Sequence, residues 1–316
     1  MKAVVYERYG PPEVLHLTEI AKPTPKDNEV LIKVRATTVT VGDSRMRSFT
    51  VPRAQWLFAR LYLGIRKPRR PILGMELAGD VEAVGKHVTR YRVGDAVFAS
   101  TFEVGFGGYV EYKCLPADGN LAPKPTNLTY EEAAAAVGGG ITALRTLRQA
   151  NIQPGQQVLI YGASGAVGTN AVQIAARHFG AAVTGVCSTS NLEMVQALGA
   201  ARVIDYTQAD FTEDGPIYDV VFDAVAKASP EQCKQLLKPT GIYLNVHKHS
   251  SGGSAPNQRN ADLLFLKSLI EAGKLKPVID RCYPLEEIVE AHRYVDQGHK
   301  RGNVAITVSS ITNGGK

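Results

Sequence analysis

Apolar positions along the chain fall into two textures. The first 120 residues carry short β-branched runs broken by Pro and Gly: "KAVVYE", "EVLIKVRATTV", "LAGDVEAVG", "DAVFAS" and "GYVEYKC". Such runs predict the strands of a compact β domain joined by turns. One insertion departs from the pattern. In "PRAQWLFARLYLGIRKPRRP", from Pro52 to Pro71, Trp56, Phe58, Leu61, Tyr62 and Ile65 follow a helical spacing that ends in a basic cluster, which fits either a lid over a cleft or a helix packed on the β domain. After "LAPKPTNLTYEE" strand and helix alternate: "QQVLIYG", "AVGTNAVQIAARHF", "AVTGVC", "NLEMVQALG", "ARVIDY", "YDVVFDAV", "SPEQCKQLLK" and "GIYLNV". Alternation of this kind predicts a parallel sheet covered by helices. The closing "GNVAITV" reads as a strand of the β domain again. The expected α/β architecture is therefore a β domain built from residues 1–122 and 274–316, interrupted by a doubly wound domain at residues 123–273.

At 316 residues the chain is long enough for two domains with sizeable cores. Its 44% hydrophobic and 21% charged residues exclude a disordered chain. The net charge of +6 comes without a basic arm or an interleaved aromatic stripe, so no nucleic-acid partner is expected. Cys114, Cys187, Cys233 and Cys282 form no CxxC pair, which argues against a disulfide framework and for reduced thiols. The start "MKAVVYERYG" has charges where a signal peptide needs an apolar run, and no segment approaches about 18 consecutive apolar residues. A cytoplasmic protein without a membrane partner is the expectation.

The chemistry concentrates in "YGASGAVGTN". Gly162, Gly165 and Gly168 stand between a predicted strand and a predicted helix, the context a dinucleotide fingerprint requires. Gly162 would permit the tight turn, the loop backbone would approach a pyrophosphate, Gly168 would let helix and strand pack closely, and helix N-terminal amides would face the phosphate. Nineteen positions beyond Gly168, where NAD-binding units place an acidic residue, the chain reads "CSTSN". Ser188, Thr189 and Asn191 offer neutral donors to a 2′-phosphate, which favours NADPH; the turn has no Arg or Lys, so NADH stays open.

In order, "GMELAGDVEAVG", "VGDAVF", "GGYVEYKC", "GGGITAL", "YGASGAVG", "LGAARVIDY", "YDVVFDAV" and "HKRGNVAITV" resemble a zinc-free member of the medium-chain dehydrogenase/reductase superfamily, of the quinone oxidoreductase type related to zeta-crystallin. The resemblance spans nearly the whole chain. It implies a GroES-like domain plus a Rossmann domain. It also implies that Ser164, Ala166 and Val167 line the pyrophosphate, and that Ser188, Asn191 and Tyr206 surround the adenosine phosphate. Thr142, Ala224, Val225, Val246, His247 and Asn303 would approach the nicotinamide half.

The departures are informative. Zinc-dependent relatives place a Cys before the first helix and a His in "GHE", whereas this chain has "TVTVGDSR" and "GMELAG", so no metal is expected. Many relatives read S-T-R where this chain has Ser190. The segment "HKHSSGGSAPNQRNA" is too short and polar for the usual sixth Rossmann strand, which puts the family's homodimer in question. Without a Lewis acid, the acceptors that remain are quinones and α,β-unsaturated carbonyls, whose added electron density spreads over a conjugated oxygen. Asp43 and Tyr62 are the catalytic candidates, with solvent as an alternative proton source. An enoyl-thioester reductase and a non-catalytic NADPH-binding protein are the competing readings.

Overall fold

The computed structural model describes residues 1–51, 56–213, 215, 217–249 and 260–308, with Tyr62 described in its backbone only. It forms two compact units, one of Met1–Val137 with Ile279–Lys316 and one of Gly138–Val278.

In the first unit, β1 (Lys2–Val5) pairs antiparallel with β2 (His16–Glu19). The long β3 (Glu29–Val39) is followed by α1 (Val41–Ser48) and α2 (Trp56–Leu63), then by β4 (Glu76–Val84), β5 (Ala96–Ser100), β6 (Tyr112–Pro116) and β7 (Leu121–Pro123). Because β3 is 11 residues long it holds three partners at once, β4 all along it, β6 at its start and a strand from the end of the chain at its finish. Helix α1 starts where it does because Thr40 and Asp43 form a capping box, and it stops at Phe49, whose φ of 56° is left-handed. The helix α3 (Tyr130–Arg148) then carries the chain out of this unit.

The second unit is a parallel sheet. Its strands are β8 (Gln157–Tyr161), β9 (Ala182–Cys187), β10 (Arg202–Asp205), β11 (Tyr218–Asp223) and β12 (Leu237–Asn245), in the order β10-β9-β8-β11-β12. Between them run α4 (Ala166–Gln173), which continues as a π-turn over Ile174–His178, α5 (Leu192–Ala197) and α6 (Pro230–Gln235). The run "VLI" in β8 and "VVFD" in β11 are fully buried, as central parallel strands covered on both faces must be. The order starts at the middle, moves to one edge, then reverses to the other, and the reversal lies between β8 and β11. Beyond β12 come α7 (Val246–His249) and α8 (Ala261–Glu271), with no sixth strand among the described residues.

The chain then rejoins the first unit through β13 (Ile279–Pro284), α9 (Ile288–Asp296) and β14 (Asn303–Thr307). β14 lies between β13 and β3, and its Val304, Ala305 and Ile306 have no exposed surface.

Candidate functional site

The carboxyl ends of the five parallel strands are in register. Asp205 pairs with Cys187, Val186 with Tyr161, Tyr161 with Asp223, and Asp223 with Asn245. An open sheet with a strand-order reversal binds ligands at this edge, at the switch point. The sequence-predicted residues of this unit follow those strand ends, except Thr142, which is half-buried on α3.

The three glycines of "YGASGAVGTN" do different jobs. Gly162 has φ 79°, and a Cβ there would meet Val225 Cγ1 at 2.6 Å. At Gly168 a Cβ would overlap the Gly162 carbonyl oxygen and lie 2.7 Å from Ala163 Cα, so this glycine is what lets α4 pack against the turn. Gly165 is unlike both. Its φ of −79° suits any residue, and the nearest atom to a Cβ is the Gly162 oxygen at 3.5 Å. The protein itself leaves room for a side chain at 165, and the room opens at the N-terminus of α4, where no side chain caps the helix. The first-turn amides of Ala166, Val167 and Gly168 thus lack a capping acceptor, and the space a Cβ would fill is the space a pyrophosphate oxygen needs to reach them. Ser164, Gly165, Ala166 and Val167 are all half-buried at this rim. A dinucleotide phosphate fits the residues present.

The small residues of "AAAAVGGG" explain themselves here. A Cβ on Gly139 would meet the Ala166 carbonyl oxygen at 2.6 Å, and one on Gly140 would meet Leu266 Cδ1 at 3.0 Å. The glycines let α3 cross close to α4 and α8. Beneath the crossing, the fully buried Asn170 donates from Nδ2 to the Ala166 oxygen at 2.7 Å, which fixes the first turn of α4.

On the side expected to face the adenosine, the turn after β9 carries Ser188, Thr189 and Asn191. Asn191 is buried and donates to Ser188 Oγ at 2.9 Å, while its Oδ1 has no partner. Thr189 donates its hydroxyl to Asp205, and Thr207 donates to the other carboxylate oxygen at 2.7 Å. These hydroxyls, Thr189 first, hold the Asp205 carboxyl below its ordinary range. The turn itself has no carboxylate, as its sequence shows, but the neighbouring strand brings Asp205, paired across from Cys187, beside Thr189. The ring of Tyr206 is half exposed and lies 6.3 Å from Tyr161.

At the other side of the switch point, Asp223 is fully buried and accepts from Val225 N and Ala228 N, both at 3.1 Å. It thereby shapes the turn that places Ala224 and Val225, with Ala226 at φ 52°. Val246 and His247 open α7 directly after β12, Val246 half-buried and His247 exposed. The His247 amide donates to Asn245 Oδ1 at 3.0 Å.

Asn303 and the two catalytic candidates belong to the first unit. Asn303 begins β14 and is buried. Asp43 has no exposed surface; Oδ2 accepts from the Thr40 amide at 2.9 Å and the Thr40 hydroxyl at 2.6 Å, and Oδ1 accepts from the Gly74 amide at 2.9 Å. Burial pushes its carboxyl up and these hydrogen bonds pull it back. Both oxygens are occupied in fixing the α1 cap to the 74–75 turn, a structural task. The side chain of Tyr62 lies outside the described residues. Met75, at the position of the zinc relatives' His, abuts Gly42, and its sulfur lies 3.5 Å from Thr40 Oγ1. Among the described residues no three His, Cys, Asp or Glu side chains are grouped as metal ligands would be. Sequence reading passed over Lys300, whose amine burial pushes down to about 8 while Glu76 and Asp280 oppose the shift. It donates to the Gly302 oxygen at 2.5 Å. A lysine in "GHKRG" looks like any surface lysine, so no sequence signal marked it.

Comparison with known proteins agrees with this geometry. Residues 26–126 match the alcohol dehydrogenase GroES-like domain, and residues 166–269 match the zinc-binding dehydrogenase family. The chain is 31% identical to the NADPH-dependent alkenal/one oxidoreductase, chloroplastic, of Arabidopsis thaliana, over 97% of this chain and 79% of that protein. It is 32% identical to the quinone oxidoreductase of Homo sapiens, over 94% of each. Its fold superposes on the quinone oxidoreductase of Coxiella burnetii with a TM-score of 0.84 and 30% identity, covering 98% of this chain and 99% of that one. The glycine turn, the five registered strand ends and these likenesses over nearly the whole length make the chain a member of the medium-chain dehydrogenase/reductase family, on its quinone oxidoreductase branch.

Proposed function

We propose that this chain is an NADPH-dependent, metal-independent reductase that delivers hydride to a quinone or an α,β-unsaturated carbonyl, with NADH as a weaker donor. The observation that carries the reading is Gly165. Its Cβ space is left open by the protein itself at an uncapped helix start, at the switch point of the sheet. Relatives named for quinones and for NADPH-dependent alkenal/one reduction support the acceptor class and the cofactor.

NADPH supplies the hydride. The amides of Ala166 and Val167 hold its pyrophosphate, and Ser188, Thr189 and Asn191 its adenosine phosphate. Val225 and Val246 keep water from the transferring carbon, and Thr142, Ala224 and His247 of the same unit complete its nicotinamide surroundings. The acceptor oxygen needs a hydrogen bond and a proton. Asp43, with both oxygens occupied, acts by positioning, so solvent or the Tyr62 hydroxyl provides the proton. Met75 standing where zinc relatives have a His, and no Cys in "TVTVGDSR", support metal independence. We assign the protein to the cytoplasm; no helix among the described residues is long and apolar enough to cross a membrane.

The test is loss of reduced-nicotinamide absorbance with a simple quinone, an enone and the matching enoyl thioester. Oxidation with the first two and slow reaction with the thioester is the expected result. NADPH binding without oxidation by any acceptor would overturn the catalytic assignment.

A further inference from the structure

Apart from the Tyr62 candidate, the segment 56–71 plays no part in the site described above, yet it exposes several large apolar side chains. On α2, Leu57, Phe58 and Leu61 are 64%, 78% and 49% exposed, and Ile65 just beyond is 62% exposed. Positions 57, 58 and 61 share one side of the helical projection, so these exposed groups form an apolar ridge, with Ile65 following just past the helix end. Lone exposed apolar residues need no explanation, whereas a contiguous cluster marks an interaction surface.

The ridge is held out rigidly. On the opposite side of α2 the ring of Trp56 meets Phe49 edge-on at 6.1 Å, and the Arg60 guanidinium stacks 3.8 Å from the Phe49 centroid. Arg60 also donates to the Ile65 oxygen at 3.0 Å, and the Tyr9 hydroxyl donates to the Gly64 oxygen at 3.2 Å. Gly64, with φ 123°, turns the chain back so that Arg69 N reaches the Leu63 oxygen at 2.7 Å. This turn places the exposed Arg66, Lys67 and Arg69 beside the ridge.

Charge decides what the ridge meets. Between Asp43 and Glu76 the sequence has eight Lys or Arg and not one Asp or Glu; Arg47 among them is buried against Asp296 and Arg60 is stacked on Phe49, while Arg45, Arg66, Lys67 and Arg69 are exposed. An apolar ridge flanked by cations alone is the pattern of a helix lying in the headgroup region of an anionic bilayer, with apolar side chains in the acyl boundary and cations on lipid phosphates. We propose that α2 and the 64–70 turn form a peripheral docking surface for an anionic lipid bilayer. This departs from the expectation of no membrane partner, which rested on the lack of a spanning segment, and it does not depend on the catalytic reading.

The chain has a single tryptophan, and it lies on this helix. Full-length protein is mixed with vesicles of phosphatidylcholine plus phosphatidylglycerol, or of phosphatidylcholine alone; sedimentation and Trp56 emission are followed. The expected result is co-sedimentation and a blue-shifted emission with the anionic vesicles only, weakened by salt. Leu57→Ser/Phe58→Ser should weaken binding about tenfold or more, and Arg66→Glu/Lys67→Glu should abolish it, both with unchanged thermal midpoints. Absence of binding at low salt, equal binding to both lipids, or indifference to the substitutions would each overturn the proposal. So would self-association without lipid that Phe58→Ser removes, since that assigns the ridge to a second copy of the chain.

Discussion

Replacing Gly165 and Gly168 separately by Ala should divide ligand binding from folding within one turn. At 165 the new methyl meets nothing in the protein closer than 3.5 Å, and the φ of −79° suits Ala. The gain from a stiffer unfolded chain, about 0.4–1 kcal/mol, is offset by the poorer helix-capping of Ala, of similar size. Stability should therefore stay within about 1 kcal/mol, a shift of under about 4 °C in thermal midpoint. On the proposed reading, the methyl would nevertheless take the pyrophosphate's place. Losing one charge-assisted hydrogen bond costs about 1.5–3 kcal/mol, so the NADPH dissociation constant should rise roughly 10- to 100-fold. At 168 the order reverses: the methyl would overlap the Gly162 oxygen and crowd Ala163, an overpacking of about 3 kcal/mol, which lowers the midpoint by roughly 6–12 °C. Circular dichroism melts and titration of NADPH fluorescence read the two quantities independently. If Gly165→Ala binds NADPH as the parent does, the phosphate does not approach that backbone and the assignment of the site fails.

Three further outcomes concern Asp205, Asp43 and His292. Asp205→Asn removes the carboxylate beside Thr189, so the ratio of kcat/KM for NADPH over NADH should rise; an unchanged ratio in steady-state kinetics would separate Asp205 from the 2′-phosphate. Asp43→Ala leaves the Gly74 amide and the Thr40 groups buried without their acceptor, at a cost of about 3 kcal/mol, seen as a lower unfolding midpoint with and without cofactor; a stable variant with normal folding and no activity would instead make Asp43 a chemical participant. His292 is fully buried, its Nε2 3.2 Å from the Tyr109 hydroxyl, and burial lowers its pKa from 6.5 to about 3. The unfolded chain binds this proton first, so stability present above pH 6.5 should fall as pH drops toward 3, by up to about 1.4 kcal/mol per pH unit; His292→Gln should flatten that portion of the stability curve, and an unchanged slope in denaturant titrations would refute the assignment.

Much of this was legible because burial leaves a simple trace. The strands β8, β9 and β11 read directly from "VLIY", "AVTGVC" and "DVVFD", since a strand covered on both faces is apolar throughout. Gly162 and Gly168 were legible because turn and crossing geometry demand glycine at fixed offsets. Asp205 was not, because its nearness to Thr189 depends on the register in which β10 pairs with β9, which no local pattern encodes. The role of Gly139 and Gly140 escaped for the same reason: what they approach, Ala166 and Leu266, lies on other helices. Val246 read as the end of a strand and instead begins a helix, because β12 stops at Asn245, whose side chain accepts from the His247 amide. The full burial of Asp43 depends on the Gly74 amide reaching it from 31 residues away, which no local pattern encodes.

The pairing of β14 with β3 also has a temporal side. Val39 waits for Val304, so a ribosome adding about 5–20 residues per second leaves that edge of β3 without its partner for roughly 13–53 s after Val39 is made. The second unit is continuous in sequence, from Gly138 to Val278, and its five strands are all synthesised before β14 exists. The nucleotide-binding half can therefore mature while the other half is still an open sheet, dependent on a strand not yet translated. A ribosomal pause downstream of Val278 would prolong that interval, and chaperone demand during synthesis should track the 39–304 gap more closely than the stability of the finished protein.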